Sequence, residues 1–176
     1  MKIAVAADHA GYLYKDQIAA ALRAQGHEVL DYGTCDATPV DYPDYGYAVG
    51  ESVASGQADR GIVVCGSSIG ISIAANKVPG VRCAVITEPF SAELSRRHND
   101  ANVLALSERL TGWEMIERCV QVFLTTPFDG GRHEGRVKKL FEFGLPQREN
   151  ALKAIEKGKV EGAETPKADL VGYKPY

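Results

Sequence analysis

Residues 61–70 read Gly-Ile-Val-Val-Cys-Gly-Ser-Ser-Ile-Gly, and this stretch decides the fold of the chain. Its apolar run is rich in β-branched side chains and predicts a buried strand that ends at Cys65. The glycine and two serines that follow predict a turn, and a helical pattern begins at Ile69. A buried strand that leads directly into a helix is typical of a βαβ unit, so the stretch predicts a parallel sheet.

The same alternation of strand and helix patterns extends over most of the chain. The predicted strands are Ile3–Ala7, His27–Tyr32, Gly61–Val64, Arg82–Ile86 and Asn102–Leu106. The predicted helices are Leu13–Gln25, Asp44–Ser55, Ile69 to the vicinity of Pro79, Pro89–His98 and Gly112–Leu124. Strands separated by helices predict an α/β fold: a three-layer α/β/α sandwich around a five-stranded parallel Rossmann-like sheet.

The carboxyl-terminal part of the chain has a different pattern. We predict one domain over residues 1–145, followed by a C-terminal helix and tail over residues 146–176. Helical patterns cover Arg132–Phe143 and Gln147–Lys157, and glycine, proline and charged residues dominate beyond Gly158. Apolar side chains persist near the end of the chain, so we expect the tail to pack on a neighbouring subunit rather than to be fully solvated.

The composition is that of one soluble globular domain. The 176 residues are 45% hydrophobic and 24% charged, which allows one well-buried core. The formal net charge of −3 argues against a dedicated nucleic-acid-binding or membrane-surface protein. The first segment lacks the pattern of a signal peptide, and no run approaches the length of a membrane span. Four cysteines without a Cys-x-x-Cys pair favour reduced thiols, so we expect a cytoplasmic protein.

Cys65 is the first candidate for a chemical role. The carboxyl ends of parallel strands form the ligand-binding edge of such a sheet, and N–H groups at the start of the next helix favour a thiolate. The cysteine is therefore a candidate nucleophile or general base. Asp8 and His9 end the first strand and should reach the same edge, where Gly11 is expected to leave room for a ligand. The alternatives are a cysteine that only packs and a polar pair that satisfies loop amides.

Further polar candidates follow later helices. His98 and Asn99 end the predicted fourth helix, where a histidine is commonly a favourable charge against the helix dipole. Arg132 and Arg136 lie four residues apart and so share a helical face. They are either solvated or placed to bind a phosphate dianion, and Arg109 could join them.

Several common sites are missing from the sequence. It has no Gly-x-x-x-x-Gly-Lys-Ser/Thr phosphate loop, and no dinucleotide-binding glycine pattern follows the first strand. Histidines and carboxylates show no compact metal-ligand spacing. We therefore expect a protein that uses no metal and no cofactor.

Six short motifs together resemble those of a known family. They occur in the order Asp8-His9-Ala10-Gly11, Asp41-Tyr42-Pro43, Cys65-Gly66-Ser67, Ile73-Ala74-Ala75-Asn76-Lys77, His98-Asn99-Asp100 and Gly130-Gly131-Arg132-His133. The chain resembles the type B ribose-5-phosphate isomerases, a family that also includes galactose-6-phosphate isomerase subunits. The resemblance covers the chain from Lys2 to about Phe143.

The resemblance implies a metal-free aldose–ketose isomerase of sugar phosphates that works through a cis-enediolate. Cys65 would move the proton between C1 and C2, the Ser67 hydroxyl and nearby backbone amides would hold the enediolate, and His98 would open the furanose ring. The implied substrate-binding residues are Asp8, His9, Tyr42, Gly66, Ser68, Ile69, Gly70, Asn99, Arg109, Arg132 and Arg136. Family members are dimers or tetramers with shared sites, so Cys65 would meet His98 and arginines of a neighbouring chain.

The turn after Cys65 departs from the usual family sequence, Cys-Gly-Thr-Gly. Ser68 adds a side chain there, which could narrow the pocket or contact the sugar. Ribose 5-phosphate is the leading substrate, and erythrose 4-phosphate, allose 6-phosphate and galactose 6-phosphate are the alternatives. A non-catalytic sugar-phosphate sensor is a different class. The intact Cys65, His98 and both arginines argue against it, since a sensor need not retain a base. A thiol hydrolase or redox protein is a third class, and it would require a resolving cysteine or an oriented His–acid pair.

Overall fold

A computed structural model describes residues 1–141, of which Met1–Val137 form one compact unit. The strands are β1 (Lys2–Ala7), β2 (Glu28–Asp31), β3 (Arg60–Cys65), β4 (Cys83–Val85) and β5 (Val103–Ser107). The helices are α1 (Tyr12–Ala24), α2 (Tyr42–Ala54), α3 (Ile69–Ala75), α4 (Pro89–Asn99), α5 (Trp113–Thr125) and α6 (Glu134–Phe141). A 3-10 turn over Gly131–His133 precedes α6. No helix among residues 1–141 is both long and apolar enough to cross a membrane.

The strands form one parallel sheet in the spatial order β2-β1-β3-β5-β4. The chain places β2 on one side of β1 and then returns to place β3 on the other side. The strand order therefore reverses between β1 and β3. Ala7 is in register with Val64 across this pair, which brings Asp8 next to Cys65 at the carboxyl edge. Open α/β sheets bind ligands at such a switch point.

Two apolar cores cover the two faces of the sheet. On one face α1, α4 and α5 pack over strand residues such as Val64 and Leu106. On the other face α2 and α3 pack over the alternate strand residues, such as Cys65 and Ala105. The predicted three-layer α/β/α sandwich with a five-stranded parallel sheet is confirmed.

Among the first five helices, α2 and α3 have a bound that differs from the predicted one by more than one residue. The second helix begins two residues before Asp44, because Pro43 fits the first turn of a helix, where its missing N–H is not needed. The third helix is shorter than the pattern that extends toward Pro79. It ends before Asn76, whose side chain exchanges two hydrogen bonds of 2.8 and 2.9 Å with the backbone of Cys83. These bonds fasten the end of α3 to β4.

The later predicted elements also change in length. The strand predicted over Arg82–Ile86 contains three residues, and the Arg82 N–H donates to the Asn102 side chain at 2.8 Å. The helix predicted over Arg132–Phe143 is divided into the 3-10 turn and α6, which begins at Glu134. The predicted helix Gln147–Lys157 and the tail lie outside the described residues.

Candidate active site

A thiol–carboxylate pair lies at the switch point of the sheet. Cys65 ends β3, and its Sγ donates a hydrogen bond to Asp8 Oδ2 at 2.8 Å. The other carboxylate oxygen accepts from the Ala10 N–H at 2.9 Å, so the orientation of the carboxylate is fixed. Cys65 is 8% exposed and Asp8 is 4% exposed. The buried Cys65 thiol, a candidate base, is thus hydrogen-bonded to the buried Asp8 carboxylate.

The protonation state of Cys65 differs from the sequence expectation. Burial raises the pKa of the thiol above its ordinary value, and the hydrogen bond to Asp8 raises it further. The Ser67 and Ser68 amides act in the opposite direction, because their hydrogen bonds to sulfur favour the thiolate. The first two effects prevail. The turn amides thus favour the thiolate as expected, but burial and Asp8 outweigh them and raise the pKa of the Cys65 thiol.

The turn after Cys65 turns the Ser68 side chain inward. Ser68 has a φ of 64°, in the left-handed region, and precedes the first residue of α3. Its side chain is buried, and its hydroxyl donates to the carbonyl of Ser67. The added hydroxyl is therefore bonded within the turn itself. Ser67 is exposed, as is Ile69.

Tyr42 and Arg109 lie against two glycines of this turn region. A methyl group built on Gly70 would lie 2.6 Å from Tyr42 Cζ, so the phenol ring rests directly on the first turn of α3. A methyl group on Gly66 would lie 3.1 Å from Arg109 Cζ and Nε. Because neither glycine has a side chain, Tyr42 can pack against Gly70 and Arg109 against Gly66, close to Cys65.

His9 and Gly11 complete the carboxyl edge of β1. His9 Nδ1 accepts from the Val40 N–H at 3.2 Å, which orients its ring. Gly11 serves a purpose other than the predicted one. A methyl group there would lie 2.6 Å from the carbonyl carbon of Val64 and 2.8 Å from the Cys65 nitrogen. The glycine lets the start of α1 meet the β3 backbone, rather than making room for a ligand.

The remaining predicted site residues lie at the opposite edge of the sheet. His98 and Asn99 are at the carboxyl end of α4. A helix that connects two parallel strands runs antiparallel to them, so α4 ends where β5 begins, at the amino-terminal edge. The Asp129 N–H donates to the carbonyl of Arg97 at 3.0 Å, which keeps the segment before Arg132 near the same end. Within one chain, the structure separates these residues from Cys65.

Two histidines form the centre of this second group. The rings of His98 and His133 are stacked with centroids 4.4 Å apart and an interplanar angle of 4°. Arg132 Nε donates to His133 Nε2 at 3.3 Å. Burial lowers the pKa of His133, and the nearby positive groups His98, Arg132 and Arg136 lower it further. Arg132 and Arg136 are exposed.

Asp129 lies close enough to this pair to raise the question of a metal. The donor atoms of His98, Asp129 and His133 lie within 4.8 Å of one another. Both oxygens of Asp129 already accept from Arg97 Nε at 3.1 Å, and this hydrogen bond is the main cause of the lowered pKa of Asp129. Arg132 Nε donates one hydrogen bond, to His133 Nε2. Cationic side chains therefore already occupy donor atoms of Asp129 and His133, two of the three groups that would hold a metal ion.

A buried ionic network fixes the end of α4 that carries His98 and Asn99. Arg96 Nη1 and Arg82 Nη2 each donate to the Asp100 carboxylate at 2.8 Å. Arg82 Nε also donates to the carbonyl of Asn99 at 3.1 Å. Arg96 is 3% exposed. The position of His98 thus depends on a network that the sequence pattern does not reveal.

Two residues with notable contacts, His133 and Glu108, were not predicted from the sequence. His133 belongs to a motif of the resemblance but carries no predicted role, and its stacking partner lies on a different element. Glu108 follows β5, and its Oε2 accepts from the Tyr14 N–H at 3.2 Å, which caps the start of α1. Neither contact has a local sequence signal, because the partners are 35 and 94 residues apart.

The fold and the thiol–carboxylate pair define a doubly wound α/β protein with a candidate ligand site at its topological switch point. A ribose/galactose isomerase family model matches residues 3–140. The chain belongs to this family, as its motifs predict.

Several similar proteins are named ribose-5-phosphate isomerase B. Ribose-5-phosphate isomerase B of Escherichia coli K12 is 46% identical over 149 residues, which is 85% of this chain and 99% of the relative. The structure of Clostridium thermocellum ribose-5-phosphate isomerase B is 53% identical with a TM-score of 0.80, covering 81% of this chain and 96% of that one. The Mycoplasma genitalium enzyme, solved with bound ribulose-5-phosphate, is 36% identical with a TM-score of 0.78, covering 81% and 95%.

Proposed function

We propose that this protein is an aldose–ketose isomerase that interconverts D-ribose 5-phosphate and D-ribulose 5-phosphate in the cytoplasm. Family membership and the names of its relatives support the reaction and the substrate. The observation that carries the proposal is the Cys65–Asp8 pair at the switch point. Free cysteines in the described part of the chain suit a reducing compartment.

Cys65 is the proposed base, and Asp8 prepares it. The free thiol passes its proton to the Asp8 carboxylate, with which it already shares a hydrogen bond. The thiolate then removes the proton from C2 of the open-chain aldose, and the electron pair forms the C1–C2 double bond of a cis-enediolate. The sulfur returns the proton to C1 while a proton passes from O2 to O1, which leaves the carbonyl at C2. No external oxidant or reductant is needed.

The turn after Cys65 supplies the proposed oxyanion site. The Ser67 and Ser68 amides reach the sulfur and are therefore close to a carbon that it deprotonates. Preorganised donors of this kind stabilise an enediolate oxygen more than a neutral carbonyl. The exposed Ser67 hydroxyl adds a further donor, and the amides of Gly66, Ile69 and Gly70 belong to the same turn.

We propose that two chains share each site, as a homodimer or a tetramer. Asp8, Tyr42 and Arg109 accompany Cys65 at one edge of the sheet, whereas His98 lies at the other edge. A second copy would bring two of its residues to the thiol. Its His98 would open the furanose ring, and its Asn99 would hold sugar hydroxyls. The second copy would also bring Arg132 and Arg136 to the phosphate beside His9 and Arg109. The phosphate then provides binding energy remote from the reacting carbons.

We also propose that residues 1–145 form the isomerase domain and that residues 146–176 pack on a neighbouring subunit. The apolar side chains that persist near the end of the tail support this assignment. Light scattering on a chain ended at residue 145 tests it, because that chain should associate more weakly than the full one.

The decisive experiment follows ribose 5-phosphate by NMR in the presence of EDTA, with wild-type protein and Cys65→Ala. We expect wild-type turnover that EDTA leaves unchanged, and a loss of at least a hundredfold in the variant, since a general base contributes roughly 10²–10⁴-fold. Cys119→Ala is the matched control, since that buried cysteine lies in α5. EDTA sensitivity or an active Cys65→Ala would contradict the thiol mechanism. Turnover of erythrose 4-phosphate, allose 6-phosphate or galactose 6-phosphate instead would change the substrate, and turnover of none would favour the sensor.

A further inference from the structure

The stacked pair of His98 and His133 joins two parts of the chain that are distant in sequence. His98 lies at the end of α4, and His133 ends the 3-10 turn before α6. Their rings are nearly parallel, at 4° and 4.4 Å, so each covers one face of the other. His133 is 7% exposed. The buried His133 ring thus packs flat against the more exposed His98 ring.

Burial and the surrounding charges of His133 together disfavour a positive charge on its ring. Its Nε2 accepts a hydrogen bond from Arg132 Nε, so that nitrogen carries no proton and the other one does. His98, Arg132 and Arg136 oppose a positive charge on the ring, while Asp129 favours it. Asp129 is bound through both oxygens by Arg97, which weakens its effect. Burial acts in the same direction as the three positive groups.

A neutral support has a specific benefit for ring opening. A histidine that delivers a proton to the ring oxygen, or takes one from the anomeric hydroxyl, changes its own charge during the step. A neutral aromatic face stabilises a cation that lies over it, whereas a second imidazolium would repel it. The stack therefore holds the His98 ring in one orientation, and a neutral His133 adds no charge repulsion to it.

We propose that His133 is a positioning residue for His98, holding the His98 ring by stacking and staying neutral while His98 exchanges its proton. The inference rests on the proposed function. It predicts that His133 matters for opening the furanose but not for the proton transfer at Cys65.

Two assays separate these steps. Ribose 5-phosphate must open before it isomerises. Ribulose 5-phosphate has its fifth oxygen blocked by phosphate and so cannot close to a furanose. Exchange of its C1 hydrogen in D2O, followed by NMR, therefore reports the Cys65 step alone. The variants are His133→Leu, which removes the flat ring, and His133→Phe, which keeps a flat face that cannot be charged.

We expect His133→Leu to lose roughly tenfold to a hundredfold in ribose 5-phosphate turnover, the scale on which misplaced catalytic groups cost rate. Its C1 exchange should stay close to the wild-type rate, and His133→Phe should recover most of the lost turnover. Full turnover in His133→Leu, equal losses in both assays, or a Phe variant no better than Leu would overturn the inference. Wild-type protein without C1 exchange would instead overturn the proposed function, and this inference with it.

Discussion

At the scale of single residues, the pKa of Cys65 depends on its burial and on the groups that touch its sulfur. Asp8 accepts the thiol hydrogen bond, and its negative charge adds to the effect of burial, so the pKa of the thiol lies above its ordinary value. The amides of the turn favour the opposite charge state. In the free chain, burial and Asp8 together outweigh these amides, so the balance of interactions favours the protonated thiol.

Replacing Asp8 by Asn should therefore lower the pKa of Cys65, because the variant removes a negative charge next to the sulfur. Alkylation of Cys65 by iodoacetamide, measured by mass spectrometry across pH, should have its midpoint at a lower pH than in the wild type. Exposed Cys35 in the same sample is the internal control and should not change. An unchanged midpoint for Cys65 would show that Asp8 does not set its charge state.

Ser68 is a second residue whose backbone decides its effect. A left-handed φ of 64° is unfavourable for a serine and easy for a glycine. We expect Ser68→Gly to raise the free energy of unfolding in urea by about 0.5–1 kcal/mol. The variant removes the strain of a left-handed serine, and the higher backbone entropy of glycine in the unfolded chain offsets part of that gain. Ser67→Gly is the control, since Ser67 is not among the non-glycine residues with positive φ. A destabilised Ser68→Gly would mean that the hydroxyl bond to the Ser67 carbonyl outweighs the strain.

At the scale of elements, the end of α4 is held by charge rather than by apolar packing alone. Asp100 has a left-handed φ of 46° and binds two guanidinium groups, one of them on the almost fully buried Arg96. The helix therefore ends at a fixed place, with His98 and Asn99 on its last turn.

Asp100→Asn should destabilise the protein by roughly 1–3 kcal/mol, because it leaves the buried Arg96 with less compensation. Asparagine tolerates the left-handed backbone, so the change acts mainly through charge. Urea unfolding provides the measurement. Glu93→Gln, which breaks the exposed ion pair with Arg97, is the matched control and should cost less than about 0.5 kcal/mol. Equal effects of the two variants would contradict a structural role for the network.

At the scale of the whole molecule, parallel topology separates residues that the proposed reaction needs together. Every strand ends at one edge of the sheet, and every connecting helix ends at the other. Cys65 and His98 follow this rule and lie on opposite sides. In the proposed shared site, a second copy of the chain brings its His98 to Cys65 while α4 stays folded.

Mixed oligomers test this arrangement. Cys65→Ala and His98→Asn chains are each expected to be inactive. When they are unfolded together and refolded, each mixed pair should contain one site with both native residues, so that roughly a quarter of all sites recover under random pairing. Recovery is measured as ribose 5-phosphate turnover against refolded single variants. No recovery in a mixture with wild-type association would place each site within one chain.

Much of the fold and part of the site follow from local patterns. β-branched runs and helical periodicity predict all five strands and the helices between them, because burial on one face repeats along each element. Cys65 and Asp8 are predicted as neighbours because parallel strands end at one edge. The early start of α2 and the early end of α3 are harder to predict, since they depend on Pro43 in a helix and on Asn76 bound to a separate strand.

The amino-acid sequence by itself determined the class of fold and the family, because these depend on short-range pattern and on motifs, and it supplied the candidate residues for the proposed chemistry. Tertiary structure alone decided the strand order, the raised pKa of Cys65, the burial of the Ser68 side chain and the stacking of His98 on His133. The physical reason is that burial and charge–charge contact depend on neighbours in space. Asp8 and Cys65 are 57 residues apart in sequence, and only the sheet brings them to 2.8 Å.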